Sequence, residues 1–470
     1  GDVGAVVLEP DELPAQVGHG DLRWGGRWLR LAARACPDGL GGLNILRWPP
    51  CCKRGSSLTS LQAQGWPCAQ NARPMNETPL QFHPRRPEAA SAPGATRQDP
   101  IVGNRVELQL LTTLKCNLKC SYCSLGVGDV LGSQTHVEYG VDDLVAFAAE
   151  HLRGKEVYVT FYGGEPTLNR PMMLEVMERF PHWRFQLQTN GTLLDDLPPW
   201  VLAKLSNVLV SIDGGEAITD GYRGRGIYRQ VLKNLRQVRE QIGGSVTARV
   251  TWGNPATTFE ELDELVADGS PFDYLYWQFV ADEMYAGDSV ERRQAVLVRL
   301  IERFFACTDR LYPLVPLMGI VRNKVLPGRA QELYAGRTQC RVSSHLINVM
   351  PNGQIYPCPD MMYVPAMLMG SVKGNWLKPS PLQHTPDMPC GGCEAYGWCR
   401  GNCMKNLYLG YVKNDLRYRG NVVEPICELL RFIGREIDRH DPQAWFSRLA
   451  LPVRRQITDC EVYEYVEIMP

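Results

Sequence analysis

No apolar run in this chain approaches the roughly 18 residues that a membrane-spanning helix needs, so no membrane partner is expected. The first residues, GDVGAVVLEPDELP, lack a basic stretch followed by a long apolar one, so they do not read as a secretory signal. Charge of either sign is not in excess: 50 Lys and Arg against 51 Asp and Glu give a net charge of -1, and no bulk field favours nucleic acid. Residues 1–100 lack any sustained period of 3.6 or 2.0, apart from a possible short helix near 24–35. They hold 12 of the 34 prolines, which argues against a packed core, so a Pro/Arg-rich disordered extension is expected there. Met75 is a plausible start within that extension, which makes 1–74 an upstream segment by expectation. No winged-helix recognition module is legible in it.

Cysteine is the opposite case. Sixteen cysteines at clustered spacings, without a secretory signal, point to metal ligation in a reducing, cytoplasmic setting. From Val106 the texture becomes regular. Apolar strands at 106–112, 156–162, 184–189, 207–213, 245–252 and 274–280 alternate with amphipathic helices at 141–152, 170–179, 198–205, 227–242, 258–267 and 289–306. Six such units imply parallel strands joined by helical crossovers, an α/β partial (β/α)6 barrel over 101–310. The loops after the strands then share one rim. A linker and cysteine-rich α+β region follow over 311–435, and a tail over 436–470 contains a helix and an alternating EVYEYVEIM that could add an edge strand.

The rim of the barrel carries the chemistry. Cys116, Cys120 and Cys123 read C-x3-C-x2-C, three soft thiolates with no fourth cysteine nearby, which leaves one iron of a [4Fe–4S] cube open to a ligand. Tyr122 would wall that ligand. The same spacing alone could be half a zinc site. Taken with GGEP at Gly163, Gly164, Glu165 and Pro166, the segment KCNLKCSYC resembles the radical S-adenosylmethionine (SAM) superfamily. The resemblance implies that SAM chelates the open iron and is cleaved to a 5′-deoxyadenosyl radical. It also implies that Gly163–Glu165 holds the SAM amine, that Thr189, Asn190 and Gly191 and then Ser211, Asp213 and Gly214 are further SAM contacts, with Ser211 on the ribose, and that Arg249 pairs with the SAM carboxylate.

The second string runs Cys340, Gly353, Cys358, Cys390, Cys393, Cys399, Cys403 and Cys427, and resembles the SPASM domain of radical SAM maturases. A zinc ribbon is the plainer alternative. The resemblance implies two auxiliary [4Fe–4S] clusters, one on Cys340, Cys358 and Cys403 and one on Cys390, Cys393, Cys399 and Cys427. The first set has only three thiolates, with His345 as the nearest non-cysteine candidate. Cys307 and Cys460 have no motif partners and are assigned no role.

The family resemblance implies oxidative modification of a peptide or protein side chain, with thioether or another crosslink favoured, and an electron donor such as a flavodoxin or ferredoxin. Formylglycine formation, as in sulfatase maturases, is an alternative. Those relatives carry an Asp base directly after the second SPASM cysteine, where this chain has Pro359 and then Asp360, read here as a turn residue. Small-molecule oxidation is another alternative, and a non-catalytic Fe–S electron-transfer or peptide-binding protein is the reading from a different class.

Overall fold

The computed structural model describes residues 100–123, 136–280, 285, 287–328 and 340–459, apart from 343, 363, 387 and 402, together with two short strands near the N-terminus. The chain divides into the units Gly1–Ala89 and Ala90–Pro470. In the first, β1 (Asp21–Trp24) and β2 (Arg27–Arg30) pair antiparallel, Trp24 opposite Arg27. A helix was expected near 24–35, but Gly25 and Gly26 stand between the strands. Gly-Gly is costly in a helix and favoured in a two-residue hairpin turn. The tail expected as an edge strand lies outside the described residues, as do Met75 and the cysteines of 1–74.

The second unit is built on one sheet of ten strands in the order β12-β11-β10-β9-β3-β4-β5-β6-β7-β8. Six of these are parallel neighbours in sequence order: β3 (Arg105–Thr113), β4 (Glu156–Gly163), β5 (Arg184–Thr189), β6 (Leu205–Ser211), β7 (Ser245–Trp252) and β8 (Tyr274–Phe279). Stepwise parallel order requires a crossover after each strand. These are α1 (Val141–His151), α2 (Arg170–Arg179), α3 (Pro199–Lys204), α4 (Glu216–Arg223) with α5 (Ile227–Val238), and α6 (Phe259–Glu264); α7 (Ser289–Phe305) then follows β8. The sequence reading missed α4, whose EAITDGYR has a weak apolar stripe and buries only Thr219 and Arg223.

The two faces of the barrel strands differ. Val106, Leu108 and Leu110 alternate with Glu107 and Gln109, and the pattern continues as Val159 and Phe161 around Thr160 and Leu187 between Gln186 and Gln188. The aliphatic face packs under the crossover helices. The polar face makes cross-strand rungs: Thr160 donates to Glu107 (2.9 Å) and Gln186 (3.3 Å), and Thr247 donates to Asn207 (3.3 Å). A barrel interior lined this way favours a polar ligand over an apolar filling.

The division expected at 310/311 is not a break in the sheet. β9 (Leu346–Val349) pairs parallel with β3, and β10 (Gln354–Tyr356), β11 (Gly370–Ser371) and β12 (Trp376–Leu377) extend it antiparallel. The helix Glu424–Arg439 packs on α7, and Trp445 of the next helix sits 5.2 and 4.9 Å from the rings of Phe304 and Phe305. Among the described residues no helix is long and apolar enough to cross a membrane.

Candidate active site

The C-terminal ends of the strands converge on a cavity of about 160 Å³. Its walls include Cys116, Cys120, Cys123, Tyr122, Gly163 and Gly164, and also Thr189, Asn190, Ser211 and Arg249. Five segments that are remote in sequence supply these residues because parallel strands point their ends the same way.

Gly163 and Gly164 are required by close approach. The Gly164 amide donates to Thr113 O and the Glu165 amide to Lys115 O, both at 2.9 Å, which stitches β4 to the start of the cysteine loop. A Cβ on Gly163 would lie 2.2 Å from Thr113 O, and one on Gly164 would lie 2.3 Å from Lys115 O. No other residue fits there without moving the loop.

Glu165 does not line the cavity. It is fully buried, and its carboxylate accepts from the Asn190 amide (2.7 Å), Thr189 Oγ1 (2.8 Å), Thr167 Oγ1 (2.7 Å) and the Thr167 amide (3.1 Å). Burial raises its pKa while these donors oppose the rise. Its work is to fix the ends of β4 and β5 relative to each other. Asn190 passes that order on: its Nδ2 donates to Asn117 Oδ1 (2.8 Å) and approaches Cys116 Sγ (3.7 Å), while Asn117 donates to Thr192 Oγ1 (2.8 Å).

Asp213 is likewise internal. It is closed in by Arg223, whose Nε and Nη2 donate to its two oxygens (2.7 and 3.0 Å), and by the Tyr122 hydroxyl (3.0 and 3.1 Å). Tyr122 packs edge-on against Tyr222 at 5.1 Å, so it lines the cavity and braces the loop together. Arg249 does reach the cavity. Its Nη2 donates to Gln278 (2.9 Å) and its Nη1 to Thr251 (3.4 Å), while its buried Nε has no hydrogen-bond partner. An orphaned guanidinium N–H at a polar wall suits a carboxylate-bearing ligand such as SAM.

The structure brings Asp360, on a turn as the sequence suggested, to the wall of the same cavity. Pro359 and Asp360 open a short 3-10 turn after Cys358, and the turn aims the carboxylate inward, where Lys405 Nζ lies 3.3 Å away. Both side chains are buried, a placement that charged groups reach only when paired. Tyr162, the residue before the glycines, shares this wall. Burial chiefly raises its pKa, and its electrostatic neighbours include Arg249, Asp360, Cys123 and Cys358.

The C-terminal cysteines separate into two groups. Cys358 and Cys403 are pushed up first by burial and then by neighbouring thiols, each by Cys340 and Cys358 also by Cys403; Cys403 reaches about 12. Cys399 and Cys427 are raised by burial and then by each other's group, Cys390 and Cys393, with Cys427 reaching about 11. In the barrel, burial lifts Cys116 to about 11. Thiols so placed stay protonated at neutral pH unless a metal takes the thiolate. Among the described residues no three His, Cys, Asp or Glu side chains converge on one ion. His345 hydrogen-bonds through Nδ1 to Ser344 Oγ (3.0 Å), at the start of β9.

Sequence reasoning missed Arg223, Asn117, Gln188, Gln278 and Lys405. Lys405 carried a signal, two residues after Cys403, and Asn117 and Gln188 stood inside the KCNLKCSYC and QTNG stretches; Arg223 and Gln278 stand in no motif.

Residues 110–268 match the family described as the Radical SAM superfamily. Mycofactocin maturase MftC of Mycobacterium ulcerans (strain Agy99) is 24% identical over 315 residues, 62% of this chain and 81% of the relative. The namesake protein of Mycobacterium tuberculosis (strain H37Rv) is 25% identical over 326 residues, covering 62% and 76%. Among solved structures, anSMEcpe with bound AdoMet superposes with a TM-score of 0.55 at 18% identity, over 72% of this chain and 99% of that one. The same protein with AdoMet and the Cp18Cys peptide gives 0.53, at the same identity and coverage. With three cysteines, the glycine pair and Arg249 gathered at the strand ends of the matched barrel, the chain carries a radical SAM domain over residues 110–268.

Proposed function

We propose that this protein is a cytoplasmic maturase that oxidises a side chain of a peptide or protein. The observation that carries this reading is the shared cavity: the barrel's strand ends and Asp360 of the cysteine-rich region line one space. The names of its relatives support it, since they are a maturase and a protein solved with a peptide.

Cys116, Cys120 and Cys123 would hold the catalytic cluster; Cys340, Cys358 and Cys403 one auxiliary cluster; and Cys390, Cys393, Cys399 and Cys427 the other. When bound, these groups with SAM supply a 5′-deoxyadenosyl radical that takes a hydrogen atom, and an acceptor for the electron the substrate then gives up. The chain's own residues bind and orient. Gly163 and Gly164 let SAM approach the backbone, Arg249 faces its carboxylate, and Thr189, Asn190 and Ser211 complete the wall. Asp360 with Lys405 meets the substrate from the opposite side and is placed to take the proton lost when a carbon radical is oxidised. A flavodoxin or ferredoxin would reduce the catalytic cluster.

The test is anaerobic reconstitution with iron and sulfide, then dithionite and SAM, with deoxyadenosine measured by mass spectrometry beside an iron count. Deoxyadenosine with about twelve irons per chain is expected, the sum of three four-iron clusters. A full iron load without deoxyadenosine would leave an electron-transfer or peptide-binding protein instead.

A further inference from the structure

Arg223 sits at the end of α4, is 7% exposed, and lies outside every motif of the sequence. Its side chain is committed in three directions. Nε and Nη2 clasp Asp213, Nη2 also donates to the Tyr122 hydroxyl, and Nη1 points at Cys120 Sγ from 4.0 Å. We propose that Arg223 is a positioning residue for the catalytic cluster: locked by Asp213, it anchors the cysteine loop and raises the reduction potential of the cluster held there. The inference rests on the reading that Cys116, Cys120 and Cys123 carry that cluster.

The anchoring follows from what the loop lacks. Residues 114–123 form no helix or strand, so their order must come from contacts. Two of those contacts lead to the end of α4: the Ser121 amide donates to Tyr222 O (3.1 Å), and Tyr122 bonds Asp213 and Arg223. Asp213 is in turn held from β7 and α4, accepting from the Thr251 amide (3.3 Å) on its carboxylate, while its own amide donates to Thr219 Oγ1 (3.1 Å). The fork is a task for arginine. A lysine ammonium is a point donor and cannot span a carboxylate, a phenol and a sulfur in one plane.

The effect on potential follows from orientation. The pair is neutral overall, but the guanidinium lies between the carboxylate and the sulfur, so the cluster meets the positive end. An N–H directed at a ligating sulfur, with positive charge behind it, favours the more reduced and more negative state of a cluster.

The experiment uses the full chain, reconstituted anaerobically and poised with dithionite. The EPR signal that changes on addition of SAM identifies the catalytic cluster. Asp213→Asn with Arg223→Met removes both charges without stranding one. In that variant the ratio of reduced to oxidised cluster at a fixed poise should fall about tenfold, about 59 mV for a one-electron couple. Arg223→Lys, which keeps the charge but not the fork, should recover part of that ratio. A ratio within twofold of wild type, at equal iron content, overturns the proposal. Should the double variant not fold, an unchanged ratio in Arg223→Lys overturns it equally. Failure of the underlying reading looks different: the wild-type protein then shows no SAM-sensitive signal.

Discussion

The barrel and the cysteine-rich region solve the same problem, ordering loops around thiols, by different means. In the barrel, strands of six to nine residues carry the loops, and buried hydrogen bonds finish the job: Glu165 ties two strand ends, and Asp213 with Arg223 ties the cysteine loop to α4. From β9 onward the strands have two to four residues, and the thiols of Cys358, Cys399 and Cys403 are themselves buried among these short elements. The first region is preorganised by its own polar groups. The second also buries apolar side chains such as Ile355, Met361, Met367 and Val372, and thiol ligation there would add metal binding to its folding energy. The two would then differ in what each cysteine does: in the barrel it would serve chemistry on a finished frame, and in the other region it would be part of the frame.

The sharpest way to break this contrast is to remove one ligand from each. Cys116→Ala should abolish SAM cleavage, by about 1000-fold or more, since loss of a catalytic centre costs on that order. It should leave the iron of the C-terminal clusters and the fold in place. Cys393→Ala should spare deoxyadenosine formation more than product formation and should loosen the residues around 390–427, read by hydrogen exchange. Turnover retained in Cys116→Ala, or unchanged exchange in Cys393→Ala, would erase the distinction.

A smaller effect tests the frame itself. Glu165→Gln keeps the size of the side chain but puts an NH2 in place of one of two oxygens, which receive three and one of its four hydrogen bonds. At least one buried donor is then stranded, at a cost of about 1–3 kcal/mol. SAM binding by calorimetry should weaken along with stability, because the glycine pair and Asn190 lose their common anchor. If stability falls while SAM affinity holds, the network is structural only.

What the sequence showed and what it hid follow the same divide. The six barrel strands were legible because apolar alternation over six to nine residues is a strong periodic signal. The cysteines and the glycine pair were legible because thiolate spacing and close backbone approach restrict residue type. Glu165 and Asp213 were found as motif members but placed on SAM, whereas both turn inward; a carboxylate in a motif does not reveal which side of the loop it serves. Arg223 was invisible because its partners lie 10 and about 100 residues away, at Asp213, Tyr122 and Cys120. Asp360 was discounted on its one-residue offset, and its place at the cavity wall depends on a short turn over Pro359–Met361 that no periodicity announces.

The smallest expected effect is a pH dependence centred on a barrel carboxyl, with Arg341 the one influence from the cysteine-rich region. Glu107 points into the polar interior, where burial raises its pKa from 4.5 to about 7; hydrogen bonds from Thr160 and Gln109 and the charge of Arg341 only partly offset the rise. One oxygen accepts from Thr160, and the other has no hydrogen-bond partner. A carboxyl raised on folding binds its proton more tightly in the native state. Its contribution is therefore complete below the unfolded value near 4.5 and is lost as pH rises through about 7. Above that, the chain must bury a charge or hold a proton against the solution, a difference of a few kcal/mol at most. Glu107→Gln abolishes the titration while keeping an acceptor for Thr160. Urea midpoints measured anaerobically at pH 5 and pH 8 should show wild type losing stability relative to Glu107→Gln over that interval. The shift should persist when the C-terminal cluster ligands are replaced, because no thiol stands among the groups that hold Glu107. A pH slope that vanishes with the thiolates instead would place the titration in the cysteine-rich region, and the barrel would lose its claim to be ordered independently of metal.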